Sequence, residues 1–377
     1  MSRPAELRAL TGVRGIAAWW VVLYHIRVAI PQLPAGWRAL FGRGYLAVDF
    51  FFLLSGFVIW LAWHQRLPGG GWTGVALFWR KRVARIWPLH LLMLAVAVAM
   101  AVLLVATGHA ERAAFPLAEL PLHLLLLQNW GFTHALAWND PAWSISAEFA
   151  AYLLFPLLVF AIDWRRVPSL PLIAIALAIL GGLHLAMAGA PELGIDIPRL
   201  GLRRCLAEFA TGTIVAALWL RWRERRWIAW PATVVGAAAL GGWGVGLAET
   251  LAVPIAFAAL LLALALSAGM RGNPLESRPV HYLGLISYAT YLAHVLLWRA
   301  FKLAFVRHAN AVPPGAILAF LLLVLAVSVA LYHLVERPAQ RWLDSGRLPF
   351  QRRARKGSAA PQAGSSASSS SSASMIA

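Results

Sequence analysis

Ionisable side chains that could do chemistry lie inside segments that are otherwise long and apolar. The first of these segments contains Arg14 and His25, which are eleven residues apart. In a helix this spacing places the two side chains within about 20° of each other around the axis and about 16 Å apart along it. A histidine is suited to accept a proton near neutral pH, and an arginine is suited to bind an anionic group. The simpler alternative is an arginine that extends toward one end of the helix and a histidine at the other end.

Two carboxylates begin later apolar segments, at about the depth of His25. Asp49 opens the second long apolar segment, and Glu148 lies near the start of the fourth. A carboxylate beside an imidazole fixes the tautomer of the ring and supports it as a general base. We therefore predict that His25, Asp49 and Glu148 form a catalytic group in which Asp49 orients His25. The alternative is that the carboxylates only neutralise buried cations and hold helices together.

Two further sets of polar residues are candidates for binding. Arg82 and Arg85 lead directly into the third apolar segment, and guanidinium groups at a helix N-terminus suit phosphate recognition. Taken alone, these arginines are better explained by the excess of basic residues on the cytoplasmic side of a membrane. Ser287, Tyr291 and His294 follow spacings of four and three, so they share one face of a helix.

The composition indicates which elements must hold these residues. The chain has 377 residues, of which 60% are hydrophobic and 13% are charged, whereas a soluble globular protein has about 45–50% apolar and 25% charged residues. Several segments contain about 20 mostly apolar residues, the length that a membrane-spanning helix needs. The 19 tryptophans fit this interpretation, because indole rings collect at membrane–water interfaces. The sequence therefore predicts a polytopic membrane protein.

We predict an all-α fold with about ten transmembrane helices. They cover residues 8–29, 45–64, 85–107, 143–163, 168–188, 203–220, 227–247, 250–268, 281–303 and 314–335. The stretch Leu117–Leu127 is broken by prolines and is too short to span, so it is expected to lie along the interface or to enter the membrane only partway. Gly242 and Gly246 form a Gly-x-x-x-Gly pattern, which predicts helix packing in the seventh span.

The distribution of basic residues predicts the orientation of these helices. With the N-terminus inside, the cytoplasmic segments hold 22 Lys and Arg residues and the outer segments hold 10. Such a bias over short loops favours a cytoplasmic N-terminus and a cytoplasmic C-terminus. Residues 1–350 form the predicted membrane domain. Residues 351–377 are basic and then rich in Ser and Ala, a composition that predicts a disordered cytoplasmic tail.

Several classes of function are disfavoured by the same data. The net charge of +18 comes from short loops between apolar segments, without the basic helix or aromatic groove that would predict nucleic-acid binding. The single Cys205 excludes an internal disulfide and a Cys-rich metal site. The first apolar segment contains ionisable residues, unlike a cleavable signal peptide. No ATP, NAD or metal motif is apparent, so we predict no metal and no permanently bound cofactor.

Taken together, the ordered motifs resemble those of the acyltransferase 3 family of integral-membrane enzymes. The matching segments are Arg14-Gly15 with His25, Asp49-Phe50-Phe51 with Ser55-Gly56-Phe57, Arg82 with Arg85, Trp143-Ser144-x-Ser146-x-Glu148, and Ser287-Tyr288-x-x-Tyr291-x-x-His294. Three features depart from the family pattern. Thr11 stands where an aspartate is commoner before the glycine, Ala150 and Ala151 replace a usual polar position after Glu148, and only a Ser-rich tail stands where some relatives carry an esterase-like domain.

The resemblance implies an O-acyltransferase of the bacterial inner membrane. Its expected donor is cytoplasmic acyl-CoA, most simply acetyl-CoA, and its expected acceptor is a free or lipid-linked glycan such as O-antigen or exopolysaccharide. His25, Asp49 and Glu148 would be catalytic, and Arg14, Arg82 and Arg85 would bind the donor. The expected acceptor-binding or supporting residues are Ser55, Trp143, Ser146, Tyr288, Tyr291 and His294. Direct transfer and an acyl-histidine intermediate both remain open. The competing hypotheses are a glycan exporter or other secondary transporter, and an inert membrane subunit that recruits partners.

Overall fold

The computed structural model describes residues 7–109, 111, 113–270, 272–306 and 312–344. Within these ranges the regular structure is helical and contains no strand, which confirms the all-α fold class. The helices are α1 (Arg8–Ile26), α2 (Ala35–Gly42), α3 (Ala47–Trp63), α4 (Arg66–Ala106), α5 (Leu120–Leu124), α6 (Ala142–Ala161), α7 (Ser169–Ala186), α8 (Ile197–Trp222), α9 (Ala229–Gly244), α10 (Glu249–Ser267), α11 (Arg278–Leu285), α12 (Ser287–Phe305), α13 (Pro314–Leu331) and α14 (Arg337–Asp344). The predicted disordered tail, residues 351–377, lies outside the described residues.

All ten segments that were predicted to span the membrane contain a helix. Among the described residues, seven helices are long and apolar enough to cross a bilayer, or eight if the bent pair α11–α12 is one span. The helix α9 has only 16 residues, and α8 begins with several ionisable side chains. The chain is therefore a multi-pass membrane protein. The count of ten and the orientation of the termini remain predictions.

The helices α3 and α8 pack closely through glycines near the centre of the protein. A Cβ atom on Gly56 would lie 2.0 Å from the carbonyl oxygen of Phe209, and one on Gly212 would lie 2.0 Å from that of Leu53. Real Cβ atoms cannot approach a carbonyl oxygen so closely, so the two backbones meet only because these positions lack side chains. This contact fixes the depth of α3 relative to α8.

The helix α1 meets α11 through a second glycine contact. A Cβ atom on Gly15 would lie 2.6 Å from the backbone nitrogen of Gly284, and a Cβ on Gly284 would lie 1.8 Å from the carbonyl oxygen of Thr11. The chain bends by 63° between α11 and α12. The glycines therefore bring α1 against this bend, which explains why Gly15 directly follows Arg14 in the first motif.

We expect Gly284→Ala to destabilise the protein by about 1–3 kcal/mol, the usual range for overpacking a tight contact. The added methyl group forces α1 away from α11. The measurement is thermal unfolding of the purified protein in detergent. Gly181→Ala is the matched control, because a Cβ on Gly181 of α7 has no atom within 4 Å. Equal stability of the Gly284→Ala and Gly181→Ala variants would contradict the packing described here.

Two smaller predictions have different outcomes. The predicted Gly-x-x-x-Gly packing in the seventh span is wrong, because α9 ends at Gly244 and Gly246 lies beyond it with φ +110°. Gly246 therefore serves the turn after the helix, where a positive φ favours glycine. Within Leu117–Leu127 the structure has a single 3₁₀ turn and the five-residue α5. This confirms that the stretch is too short to span.

Candidate active site

A cavity of about 180 Å³ lies among α1, α3, α4, α6 and α12. Its polar lining consists of Arg14, Arg82, Arg85, Glu148, Ser55, Ser144, Ser287, Tyr152, Tyr288 and Tyr291. Seven of the twelve site residues predicted from the sequence are in this lining. The remaining wall is apolar and comes mainly from α3, including Phe51 and Phe52. Three guanidinium groups face one carboxylate, so the cavity favours an anionic ligand.

Arg14 is fixed to the bend between α11 and α12. Its Nη2 and Nε donate to the carbonyl oxygen of Gly284 at 2.7 and 3.2 Å, and Ser287 Oγ donates to the same oxygen at 2.9 Å. The last carbonyl groups of a helix have no partner within the helix, and a cation is favourable at that end of the helix dipole. Arg14 therefore stabilises the end of α11 and also places positive charge on the cavity wall.

Arg82 and Arg85 differ in how much of their hydrogen-bonding capacity is free. Arg85 forms an ion pair with Glu336, whose side chain is buried in the π-helical turn after α13. Arg82 lies over the rings of Phe78 and Tyr152, 5.8 and 5.7 Å from their centroids. Its buried Nε has no hydrogen-bond partner among the described residues. Arg82 is thus the better placed of the two to bind a phosphate group.

Tyrosine hydroxyls arrange the middle of the cavity. Tyr152 follows Glu148 by one helical turn on α6. Its hydroxyl oxygen lies 3.4 Å from Ser55 Oγ. Tyr288 OH donates to the carbonyl oxygen of Ile86 at 2.7 Å and so ties α12 to α4. Ser55 and Glu148 line the cavity, which His25 and Asp49 do not line, and the hydroxyl of Tyr288 holds two helices together.

The cavity wall includes a contact between α6 and α12. Ser144 Oγ lies 2.8 Å from Tyr291 OH, and both residues line the cavity. Ser146, two residues further along α6, instead faces the preceding loop. Its Oγ donates to the carbonyl oxygen of Leu126 at 2.7 Å and accepts from the backbone N–H of Asn129 at 3.1 Å. Ser146 therefore anchors that loop, whereas Tyr291 lines the cavity.

A pair of histidines lies just beyond Tyr291. His294 Nδ1 is 2.7 Å from the carbonyl oxygen of Tyr291, and His294 Nε2 is 3.1 Å from His25 Nδ1. The same Nδ1 of His25 is 2.9 Å from the carbonyl oxygen of Val21. His294 is fully buried and His25 is half-buried. The structure therefore places His25 and His294 together, although the sequence predicted only that they lie at a similar depth.

The hydrogen-bond network assigns the tautomers of the two neutral rings. A carbonyl oxygen only accepts, so Nδ1 of His294 carries the proton and its Nε2 accepts. Nδ1 of His25 must then donate, shared between His294 Nε2 and the carbonyl oxygen of Val21. This leaves Nε2 of His25 unprotonated. His25 is thus set up to accept a proton, with His294 as the residue that fixes its tautomer.

The predicted contact between Asp49 and His25 is wrong. The Asp49 carboxylate is bound by Arg204 of α8, with Nη2 at 2.7 Å from Oδ1 and 2.9 Å from Oδ2 and with Nε at 3.1 Å from Oδ1. Both side chains are almost completely buried, at 1% exposure for Arg204 and 0% for Asp49. A buried guanidinium needs a carboxylate partner more than a neutral imidazole does, so Asp49 is committed to Arg204.

Trp143 and Glu208 complete this buried cluster. The Arg204 guanidinium carbon lies 5.4 Å from the Trp143 ring centroid, and the fully buried Glu208 follows Arg204 by one helical turn. The sequence analysis did not select Arg204 and Glu208 as site residues, although both lie within the predicted span 203–220, because the helix was predicted to begin at residue 203 and Arg204 then stood at its end. It begins at Ile197. The signal that could have revealed them is an Arg and a Glu four residues apart at the start of an apolar segment.

Comparison with known proteins gives the chain a family. A family model described as an acyltransferase domain matches residues 7–333. No solved structure matches the chain. Acyltransferase MdmB from Streptomyces mycarofaciens is 31% identical over 394 aligned residues, which cover 92% of this chain and 94% of that protein.

Two longer relatives match part of the chain. Peptidoglycan O-acetyltransferase OatA from Listeria monocytogenes is 26% identical, over 56% of this chain and 34% of its own length. O-acetyltransferase OatA from Staphylococcus aureus is 24% identical, over 42% of this chain and 26% of its own length. The extent of the family match and the full-length similarity to MdmB agree with the motifs and with the multi-pass helical fold. The chain belongs to the acyltransferase 3 family and is a multi-pass membrane acyltransferase.

Proposed function

We propose that the protein is an O-acyltransferase that moves an acyl group, most simply acetyl, from acyl-CoA to a hydroxyl group of a cell-surface or secreted glycan. The observation that carries this proposal is the cavity lined by three arginines and by Tyr291, whose carbonyl oxygen contacts His294, the partner of His25. In a bacterium the expected location is the inner membrane, with the donor on the cytoplasmic side and the acceptor on the other.

The cavity has the features that a CoA thioester needs. Arg82 has an unused donor for a phosphate group, and Arg85 adds positive charge beside it. The pantetheine arm is about as long as the 16 Å rise from Arg14 to His25 along an ideal helix. The apolar wall of α3 can contact the arm while Arg14 holds the opposite wall in place. The thioester would then lie near Tyr291, one helical turn from His294.

The reaction is proposed as direct transfer. Nε2 of His25 takes the proton from the acceptor hydroxyl while the hydroxyl oxygen forms a bond to the thioester carbonyl carbon. The C–S bond then breaks, and the imidazolium returns the proton to the leaving thiolate of CoA. The products are the O-acyl ester and free CoA. His294 holds the proton on Nδ1 of His25 through the whole cycle, so that Nε2 faces the substrates.

The nature of the acceptor is supported by the names of the relatives. The Listeria relative is named as a peptidoglycan O-acetyltransferase, which favours an acetyl donor and a glycan hydroxyl as acceptor. MdmB matches more of this chain, and its name specifies an acyltransferase without naming an acceptor. We therefore propose the glycan class and leave the sugar and the position undefined.

The direct test of this function is transfer by the purified protein. We expect [¹⁴C]acetyl-CoA to be consumed with release of CoA, and the label to appear as an alkali-labile ester on glycan from the source organism. Mass spectrometry of surface glycans from a deletion strain should show the loss of the same acyl group. A purified, folded protein that moves glycan across vesicles but never releases CoA would support the transporter hypothesis instead.

We expect Arg82→Gln to weaken acyl-CoA binding by roughly 10- to 100-fold, the loss of one charge-assisted hydrogen bond, with little loss of folded protein. Arg80→Gln is the matched control, because Arg80 is an exposed arginine on the same helix outside the cavity lining. Acyl-CoA affinity is measured by titration of the purified variants. Arg85→Gln should also reduce the yield of folded protein, since it leaves Glu336 buried without its cation. Equal affinities for Arg82→Gln and Arg80→Gln would show that Arg82 is only a topology signal.

A further inference from the structure

A second cavity, of about 520 Å³, opens between α4 and α12, beside the part of α12 that follows His294. We propose that this α4–α12 groove, lined by Met100, Leu104, Phe115, Arg299, Lys302 and Leu303, binds one phospholipid from the leaflet on the His25 side. The lipid phosphate contacts Arg299 and Lys302, and one acyl chain lies between the two helices. This site is separate from the donor cavity and does not depend on the proposed acyl-CoA chemistry.

The two cations of the groove have spare hydrogen-bonding capacity. Arg299 Nη2 is 3.7 Å from Asp140 Oδ2, and its guanidinium carbon lies 5.6 Å from the Phe115 ring centroid. The buried Nη1 of Arg299 has no hydrogen-bond partner among the described residues. Lys302 follows within one helical turn and also lines the groove. The groove lining contains one carboxylate, Glu111, and Asp140 beside Arg299 is the second acid near the two cations. A phosphate group would satisfy the free donor of Arg299, which neither carboxylate reaches.

The walls of the groove suit an acyl chain. Met100 and Leu104 on α4 are buried beneath the groove, and Leu303 on α12 is 58% exposed at its edge. The neighbouring Leu103 and Phe305 are also exposed, at 58% and 72%. Exposed apolar side chains of this size on a membrane protein face lipid. The groove therefore opens sideways to the bilayer, and its cations lie where a headgroup would be.

The position of the groove links it to the acceptor side of the catalytic centre. Arg299 is five residues after His294 on α12. Its partner Asp140 lies just before α6. The adjacent Asn139 donates to the carbonyl oxygen of Leu292 at 2.9 Å, which fixes this loop against α12. A bound lipid phosphate would contact Arg299 together with Asp140. The lipid would then cover the surface of α12 next to His25.

The simpler explanation is that both cations extend to the membrane surface without selecting a ligand. The experiment compares four additions to the full chain purified in dodecyl maltoside: dioleoylphosphatidylglycerol, dioleoylphosphatidylcholine, dioleoylglycerol and glycerol 1-phosphate. Thermal unfolding reports binding, because a ligand of the folded state raises its stability, and native mass spectrometry counts retained lipids. We expect both phospholipids to raise the unfolding midpoint and one lipid to be retained. Dioleoylglycerol lacks the phosphate and glycerol 1-phosphate lacks the acyl chains, so each should have little effect on the unfolding midpoint.

Variants assign the effect to the groove. Arg299→Gln with Lys302→Gln should weaken phospholipid retention at least about tenfold, as expected for losing two charged hydrogen-bond donors. Arg38→Gln with Arg199→Gln removes the same charge from the same side outside the groove and should retain the lipid. Leu303→Trp keeps both cations but fills the groove from an exposed position, so it should displace the lipid even if the charge variant folds poorly. Stabilisation by dioleoylglycerol or by glycerol 1-phosphate equal to that by phospholipid, or full lipid retention in the Leu303→Trp variant, would overturn the proposal.

Discussion

His25→Ala is expected to lower the rate of acyl transfer by about 10²–10⁴, the usual contribution of a general base. The reason is that Nε2 of His25 is left free to accept a proton, while both nitrogens of His294 are already engaged. Single-turnover transfer from acetyl-CoA measures this rate, and size-exclusion chromatography in detergent measures the folded fraction. Binding of acyl-CoA should change little, because His25 does not line the cavity that we propose for the donor.

Two further histidine variants make this result specific. His294→Ala should lower the rate less than His25→Ala, since Nδ1 of His25 can still donate to Val21. The double variant should be no slower than His25→Ala alone, because the two residues act as one unit. His184→Ala on α7 is the control, as it removes a membrane-embedded imidazole that contacts Thr250 instead. Normal transfer by a folded His25→Ala protein would require the reaction to be rebuilt around Glu148 or His294.

Asp49→Leu and Arg204→Met are each expected to lower the stability of the protein by about 3–5 kcal/mol. Each change leaves the opposite charge buried without its partner. The double variant Asp49→Leu/Arg204→Met should recover most of the folded protein, since replacing both members of a buried ion pair by apolar residues is often nearly neutral. Thermal unfolding in detergent gives the three stabilities, and their non-additivity measures the coupling between the two residues.

The activity of the double variant decides what Asp49 does. Asp49 is fully buried and bound by Arg204, so we expect it to position α3 rather than to contact the substrates. The recovered protein should then transfer acyl groups within roughly tenfold of the wild-type rate, the effect of a small displacement rather than of a lost catalytic group. A stable double variant that transfers no acyl group would instead return Asp49 to the catalytic group.

The sequence predicted the helices well, because membrane spans are long, apolar and largely independent of their neighbours. The spacing of Arg14 and His25 also predicted correctly that both residues lie on the same helix, α1. Contacts between helices were harder to predict. Arg204 lies at the very start of the predicted span 203–220, where an arginine can extend to the membrane surface, whereas the helix begins at Ile197 and places Arg204 about two turns inside it. An arginine two turns inside a helix needs a partner, and that need would have directed Asp49 away from His25.

The glycines also show that contacts between helices are hard to predict from sequence. The Gly-x-x-x-Gly pattern at Gly242 and Gly246 was noticed, but its second glycine lies in a turn. The glycines that admit another backbone, such as Gly212 and Gly284, are recognised only when the opposing helix is known. The same holds for the pairing of His25 with His294, which are 269 residues apart. Local patterns identify helices and depths, whereas the choice of partner depends on the tertiary fold.

A structure of the protein with a non-hydrolysable acetyl-CoA thioether bound tests the central claim most directly. The account predicts that the CoA phosphates contact Arg82 and that the pantetheine arm follows the cavity past Ser55 to Tyr291. The acetyl carbonyl carbon should lie about 6 Å from Nε2 of His25, which leaves room for one acceptor hydroxyl between them. An analogue bound outside the cavity, or one whose acetyl group ends far from His25, would contradict it.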